Sequence, residues 1–274
     1  FSSYMSVLWP YLARALQDTE SGTSYITAVL TVSDVTRALE EDIYNYCDEI
    51  VSNLLKALSS PNVESRAKPA TLSAIGDIAL AISGKFVRYS EPVLNVMQQA
   101  TQFEMPITEP EAKILRNELW EGLLTAYSGI IIGLKATPSQ QQFIDCVEKH
   151  TSTMVTFILK IAGTYQNSLV GGQGGGGGVG ILSGLPSESS LQGALSSNSM
   201  MFRREKHSME AVLRASCELL GDIAAGCGVS SVQSLKQPLI KTLLNSCSIS
   251  PTFNDKTKEA AQIARQRIFG ISSF

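Results

Sequence analysis

The chain has 274 residues, 44% of them hydrophobic, with 22 Lys and Arg against 25 Asp and Glu for a net charge of −3. That supplies ample apolar area for a buried core. The slightly acidic balance speaks against nucleic acid as the main partner and leaves a basic protein open. The longest apolar stretches fall short of the roughly 18 residues a membrane span needs; Leu8 to Leu16, for example, is interrupted by Pro10, Tyr11 and Arg14, so no membrane insertion is expected. Five scattered cysteines, an odd number, suit a reducing compartment where Cys packs as a small hydrophobe. The chain opens at Phe1 with no signal-peptide pattern and reads as a piece of a longer protein.

In chain order, helical patterning dominates. A first helix is predicted near Tyr4–Leu16, with Pro10 as a kink or late start, and a second near Tyr25–Leu39. A third near Tyr44–Leu58 carries the stripe Ile50, Val51, Leu54, Leu55 and Leu58. After the turn Ser60-Pro61-Asn62, Pro69 suits a first helical turn, and Leu72, Ile75, Ala79 and Ile82 form the next buried stripe, with Gly84 as C-cap. Ser90 is the expected N-cap of a helix reaching Phe103. Thr108 to Glu111, with Pro110 in the first turn, has capping-box spacing for a helix to Leu134, and Ser139 to Gln142 repeats it for a helix to Ala162. Helices are expected again at Met209–Gly226, Leu235–Cys247 and Lys256–Phe269. Between them, residues 167–204 include GGQGGGGGVG and a Ser/Gly-rich mixture, which cannot offset its ordering entropy and is expected to be a mobile loop between helices.

The helices repeat. Gly76-Asp77-Ile78-Ala79 returns as Gly221-Asp222-Ile223-Ala224, each within an apolar helical segment. Weaker copies, AVLTVSDVTRAL and LLTAYSGIIIGL, end at Leu39 and Leu134. Aligning Asp34, Asp77, Gly129 and Asp222 gives spacings of 43, 52 and 93 residues, the last about two periods and containing the Gly/Ser tract. An all-helical period near 40–47 residues marks an all-α solenoid of HEAT or armadillo type, here about four antiparallel helix pairs with terminal helices over residues 1–274. Such a stack presents a long surface, so its default function is binding. The recurring Asp is expected to orient a turn or bond a neighbouring repeat.

Sites for chemistry are poorly supported. The glycine run follows no strand and precedes no Gly-Lys-Ser/Thr, so it reads as a flexible tract rather than a phosphate cradle. Cys146 and His150 have a metal-compatible spacing, but zinc wants four ligands and the chain has only one other histidine, His207. Two histidines and no nucleophile elbow leave no scaffold for a triad. Neither enzymatic activity, a cofactor nor a metal is expected. Trp9 and Trp120 read as repeat-core residues. The acidic residues recur more suggestively: Glu40, Glu41, Asp42, Asp48 and Glu49, then Glu91, then Asp145 and Glu148, near the starts of successive second helices. A charge group is most simply a solvated face; carboxylates repeated at one place in each repeat would also form a seat for Lys/Arg-rich peptides.

AKPATLSAIGDIALAISGKFVRYSEPVLNVMQQA at 67–100 closely resembles a carboxy-terminal HEAT repeat of the importin-β (karyopherin-β) family of nuclear import receptors. VSDVTRALEEDI at 32–43, YCDEI at 46–50, NELWEGLLTAYSGIIIGLK at 117–135, LLGDIA at 219–224 and KEAAQIA at 258–264 follow the same family in order. The resemblance implies a right-handed superhelix whose second helices line the concave side and grip the basic segment of an importin-α-type adaptor or a basic cargo protein. It implies that Ran GTPase and nucleoporins bind mainly through more amino-terminal repeats, and that the protein works in cytoplasm and nucleus, including the nuclear pore and envelope. On this reading the contacts are Asp48, Glu49, Ser52, Asn53, Glu91, Asn95, Gln98, Asp145 and Glu148. Two departures stand out: Ile263 occupies the place of a Trp in the family's KEAA-x-W setting, and the Gly/Ser insertion is foreign to the pattern. The rival reading is a structural HEAT scaffold or subunit-bridging arm with no transport role.

Overall fold

The computed structural model describes residues 2–107, 109–137, 140–170 and 197–270. Among them every regular element is helical: α1 (Met5–Gln17), α2 (Gly22–Leu39), α3 (Cys47–Ser59), α4 (Ala67–Ile82), α5 (Val87–Gln102), α6 (Pro110–Lys135), α7 (Gln140–Val170), α8 (Ser197–Gly226), α9 (Val229–Ser234), α10 (Pro238–Ile249) and α11 (Asp255–Phe269), with 3-10 turns at Ser2–Tyr4, Glu40–Tyr46 and Ser83–Phe86. Two rows stack side by side. The first helices α2, α4, α6, α8 and α11 pack in succession, and α1, α3, α5, α7 and α10 form the second row. Apolar stripes face between the rows and merge into one core running from Met5 to Ile268. The protein is an all-α solenoid of stacked helix pairs.

The first row is the tighter one, and glycine is the reason. A Cβ on Gly122 would lie 2.9 Å from the Pro69 carbonyl oxygen, and one on Gly129 would lie 2.7 Å from the Gly76 oxygen. A Cβ on Gly133 would overlap the Ala79 carbonyl. Side-chain-free positions on α6 thus let its backbone lie against that of α4. Gly76, the glycine of the repeated Gly-Asp, faces this seam from the other side.

The Asp of that motif also reaches a neighbouring repeat. Asp77 accepts from Arg37 of α2 at 2.9 Å. Asp222 accepts from Ser128 of α6 and lies 3.7 Å from the Arg267 guanidinium of α11, which donates to the Gly221 carbonyl. Burial raises the Asp222 carboxyl pKa, opposed by Ser128 and Arg267.

Helix ends depart from the sequence reading in several places. Gly84 is not the C-cap of α4: Ser83 takes that place at φ 49°, as Glu40 does after α2, also at φ 49°. The chain turns from first to second helix by the same strained residue and 3-10 turn in both repeats. Ser90 caps nothing. Helix α5 begins earlier, at Val87, and Ser90 is buried inside it with its hydroxyl donating to the Val87 carbonyl. Pro92 lies within α5 and Pro10 within α1. Pro110 does open α6, but its N-cap is Glu109 with no side-chain bond; Thr108 and Ser139 lie outside the described residues. Asn254 caps α11 by accepting from the Thr257 amide at 2.9 Å. Helices α7 and α8 extend to Val170 and from Ser197, so residues 167–170 and 197–204, expected within the mobile loop, are helical. Residues 171–196 lie outside those described.

Residues 67–102 have a mean hydropathy of 1.4 in one window, high enough by length and composition for a membrane span. They fold as two 16-residue helices, α4 and α5, separated by the turn at Ser83–Phe86. Neither helix alone matches the roughly 20 residues of a span.

The glycine seam yields a direct expectation. Gly133→Ala forces a methyl into the α4 backbone and should destabilise by about 1–3 kcal/mol, the range for overpacking a tight interface. Gly163→Ala is the control, since nothing lies within 4 Å of a Cβ there; it should stabilise α7 by about 0.5–1 kcal/mol. Urea midpoints of the two variants should move in opposite directions from the parent.

Candidate functional site

The nine residues singled out from the sequence all lie on α3, α5 and α7 of the second row. Asp48, Glu49, Ser52, Glu91, Asn95, Gln98 and Asp145 are exposed, and Glu148 is half-buried. Asn53 does not belong with them. It is 8% exposed, with its amide nitrogen turned inward and unbonded.

The carboxylates on this row form links between repeats instead of a uniform acidic strip. Asp48 lies 3.0 Å from the Arg88 guanidinium and accepts from the Tyr89 hydroxyl at 2.5 Å, joining α3 to α5. Burial, then the Asp48 carboxylate, push the Tyr89 hydroxyl pKa up. Glu91 pairs with Lys149 at 3.5 Å, joining α5 to α7. Between the turns, Glu41 pairs with Lys85 at 2.7 Å, and its hydrogen bond is the main cause of the raised Lys85 pKa. The Lys85 ammonium also sits 4.9 Å from the centre of the Tyr44 ring. Glu49, Asp145 and Glu148 have no cation partner among the described residues. Glu49 is met by the Gln17 amide at 3.4 Å, Asp145 by the Gln141 amide at 2.8 Å, and Glu148 by the hydroxyls of Ser230 and Ser231 at 3.4 Å each.

Exposure separates the two kinds of acid. The side chains of Asp77 and Asp222 on the first row are 20% and 19% exposed, whereas Asp48 and Glu91 are 64% and 73% exposed. The former are fixed parts of the stack. The latter are solvated pairs worth about 0–1 kcal/mol each, which a partner can rearrange at little cost.

Other features weighed in the sequence find structural uses. Trp120 is buried with its ring edge-on to Phe157 and Tyr165, and the Arg116 guanidinium stacks 4.3 Å from its centre. Trp9 packs 4.9 Å from Tyr46. Cys146 Sγ lies 3.3 Å from the Ser90 hydroxyl, and burial raises the Cys47 thiol pKa to about 12. Among the described residues no three His, Cys, Asp or Glu side chains gather as a metal site. Ile263 is 40% exposed on α11, which packs on α8. The departure from the family Trp therefore falls on a first-row helix, away from the acidic row. One feature escaped sequence reading. The short α9, between Gly228 and Leu235, opens a groove of about 550 Å³ against α7.

A family profile described as importin subunit beta-1-like, TPR repeats, matches residues 1–171. The importin subunit beta-1 of Arabidopsis thaliana is 38% identical over 146 residues, covering 53% of this chain and 17% of the relative. That of Saccharomyces cerevisiae is 32% identical over 162 residues, covering 59% and 18%. A crystal structure of importin beta superposes with a TM-score of 0.75 at 26% identity, covering 98% of this chain and 27% of that one. A Kap95:Nup1 complex and a Kap95p structure with RanGDP each match with a TM-score of 0.73 at 26% identity. The chain thus spans less than a third of the length of the relatives it matches.

One residue of the second row predicts a pH response. His150 on α7 is 3% exposed and neither ring nitrogen has a hydrogen-bond partner. Burial lowers its pKa below the ordinary value of 6.5, reinforced by Lys149 and opposed by Glu91. The folded chain therefore binds this proton less readily than the unfolded chain. The neutral form's stability is fully present above pH ~6.5 and is lost as pH falls below it. Burial raises the Glu121 and Glu218 carboxyls, which titrate with the opposite sign, so the difference between parent and variant isolates the histidine. Between pH 7.5 and 5, urea titrations should show the parent losing more stability than His150→Phe.

Proposed function

As the chain belongs to the importin subunit beta-1-like family, we propose that it is the adaptor- or cargo-holding portion of a nuclear import receptor, binding a basic segment along its second-helix row. The family match over residues 1–171 carries this reading, because it covers α3, α5 and α7, which bear every candidate contact. The work proposed is binding and release, with no covalent chemistry. Transport receptors of this kind operate between cytoplasm and nucleus, and that is the proposed location, including the nuclear pore and envelope. Ran and nucleoporins, which appear with Kap95p in the matched RanGDP and Nup1 structures, are proposed to engage mainly more amino-terminal repeats outside this chain.

The pairing pattern refines how a basic segment would be held. Asp48 and Glu91 already face Arg88 and Lys149, so an incoming cation must exchange with an internal one. Glu49, on α3, and Asp145 and Glu148, on α7, offer carboxylates free of that competition among the described residues. They frame a neutralised stretch on α5, so the basic residues of the partner are proposed to engage the α3 and α7 ends more strongly than the middle. Ser52, Asn95 and Gln98 contribute exposed polar groups between them.

Charge reversal at Glu49 and Asp145 tests this. Both are exposed and neither anchors a neighbouring repeat through a cation, so stability should change by under about 0.5 kcal/mol. Affinity for a Lys/Arg-rich importin-α-type segment should fall about tenfold at low salt, and its salt dependence should flatten. Asp48→Lys should weaken binding too, but it also breaks the Arg88 and Tyr89 contacts and should lower the urea midpoint. Unchanged binding across salt by the Glu49/Asp145 double variant would favour the scaffold reading instead.

A further inference from the structure

The groove between α7 and α9 is built around Glu148, a carboxylate with no cation partner among the described residues. It is lined by Glu148, Ser230, Ser231, Ser234 and Gln237, with the buried Val155 among its walls. The Ser230 and Ser231 hydroxyls each point their hydrogen at Glu148 Oε1, 3.4 Å away. The Ser234 hydroxyl donates to the Ser231 carbonyl at 2.6 Å, and the Gln237 amide nitrogen donates to the Ser234 carbonyl at 3.0 Å. A hydroxyl that has given its hydrogen to the protein has only lone pairs left, and the Gln237 amide keeps a free acceptor oxygen beside its second N–H. Glu148 itself accepts only. Its Oε1 lies so close to Gly228 that a Cβ there would come within 2.9 Å of it, so the absence of a side chain lets the carboxylate rest against the turn. No hydrogen bond or ion pair reaches its Oε2 among the described residues. Lys149, the cation on this wall, is drawn to Glu91 of the preceding repeat. An anion entering this groove would face the Glu148 carboxylate, with donors left only on the outer wall at Lys149, Ser152 and Thr156. A group that only donates would meet partners on several sides.

We propose that this groove seats one arginine side chain of the basic segment, with its guanidinium on Glu148 and the surrounding hydroxyl and amide oxygens. The inference rests on the binding of a basic segment proposed above, and it adds where an individual side chain is read and which one is preferred. A guanidinium presents five N–H donors in a planar fork and no acceptor, which matches a carboxylate flanked by lone pairs. An ammonium has three donors on a compact, strongly hydrated head and satisfies fewer of these oxygens at once. Arginine should therefore be favoured over lysine at this position. The groove lies two helix pairs along the row from Asp48, so it fixes the register of an extended segment whose other residues meet exposed carboxylates.

Octa-arginine and octa-lysine, each fluorescently labelled, are suitable probes for the chain in a titration by anisotropy. Octa-arginine should bind the parent more tightly than octa-lysine. Glu148→Gln keeps the shape and removes the charge; it should weaken octa-arginine roughly tenfold and octa-lysine much less, narrowing the ratio between them. Loosening of α9 alone would weaken both probes equally and leave that ratio in place, which would overturn the inference. Thr156→Arg, from an exposed position on the groove wall, supplies the cation internally and should lower octa-arginine affinity without touching Glu148. If Glu148→Gln and Thr156→Arg both bind the two probes as the parent does, the groove seats no arginine while the broader binding reading stands. If the parent binds neither probe, both fall together.

Discussion

The near contact of α4 and α6 backbones through glycine is the constraint from which most of this architecture follows. Helices normally meet through side chains with their axes 8–10 Å apart. Gly122, Gly129 and Gly133 remove the side chains from one helix at the points of contact, and Gly76 does so on the other. Once the first row is drawn together, the sequence-related Asp77 and Asp222 lie within reach of Arg37 on one neighbour and of Ser128 and Arg267 on two. The same register places Glu40 and Ser83 at equivalent turns with the same left-handed φ of 49°. A first row built on backbone contact is hard to deform, because interiors at this density yield only with strain.

The second row is held differently, and its chemistry differs for that reason. Its helices touch less closely than their first-row counterparts and are bridged at the surface by long side chains: Asp48 to Arg88 and Tyr89, Glu91 to Lys149, Glu148 to the serines of α9. Solvated bridges contribute little stability, so exchanging their partners costs little. A protein that must take up and let go of a charged segment benefits from placing its carboxylates there. On the function proposed above, the first row would maintain the stack while the second row trades contacts.

The stack itself was legible in the residues. The repeated Gly-Asp-Ile-Ala, the apolar stripes and the period are local signatures of a helix pair that cannot bury its own face, and the solenoid follows from them. Cap assignments fared worse. Ser90 and Gly84 carry the side chains of caps, but packing extends α5 back to Val87 and hands the left-handed turn to Ser83, one residue before the glycine best suited to it. The acidic recurrence was visible too, but its neutralisation was not. Arg88 and Lys149 come from the following repeat, some 40 to 58 positions away, where no local spacing rule reaches. Asn53 shares the helix of Asp48 and Glu49 yet is buried; five residues from Asp48 it lies on another side, but four from Glu49 it shares a side, so spacing alone does not give its burial. The groove at α9 left no trace in periodicity, since six residues are too few to show one.

The division of labour between the two rows is tested most directly by amide hydrogen exchange on the chain with and without a basic importin-α-type segment. Slowed exchange on binding should appear in α3, α7 and α9, with a smaller effect in α5, while α2, α4 and α6 exchange at the rates of the free chain. Protection confined to the first row, or spread evenly over both, would contradict the account.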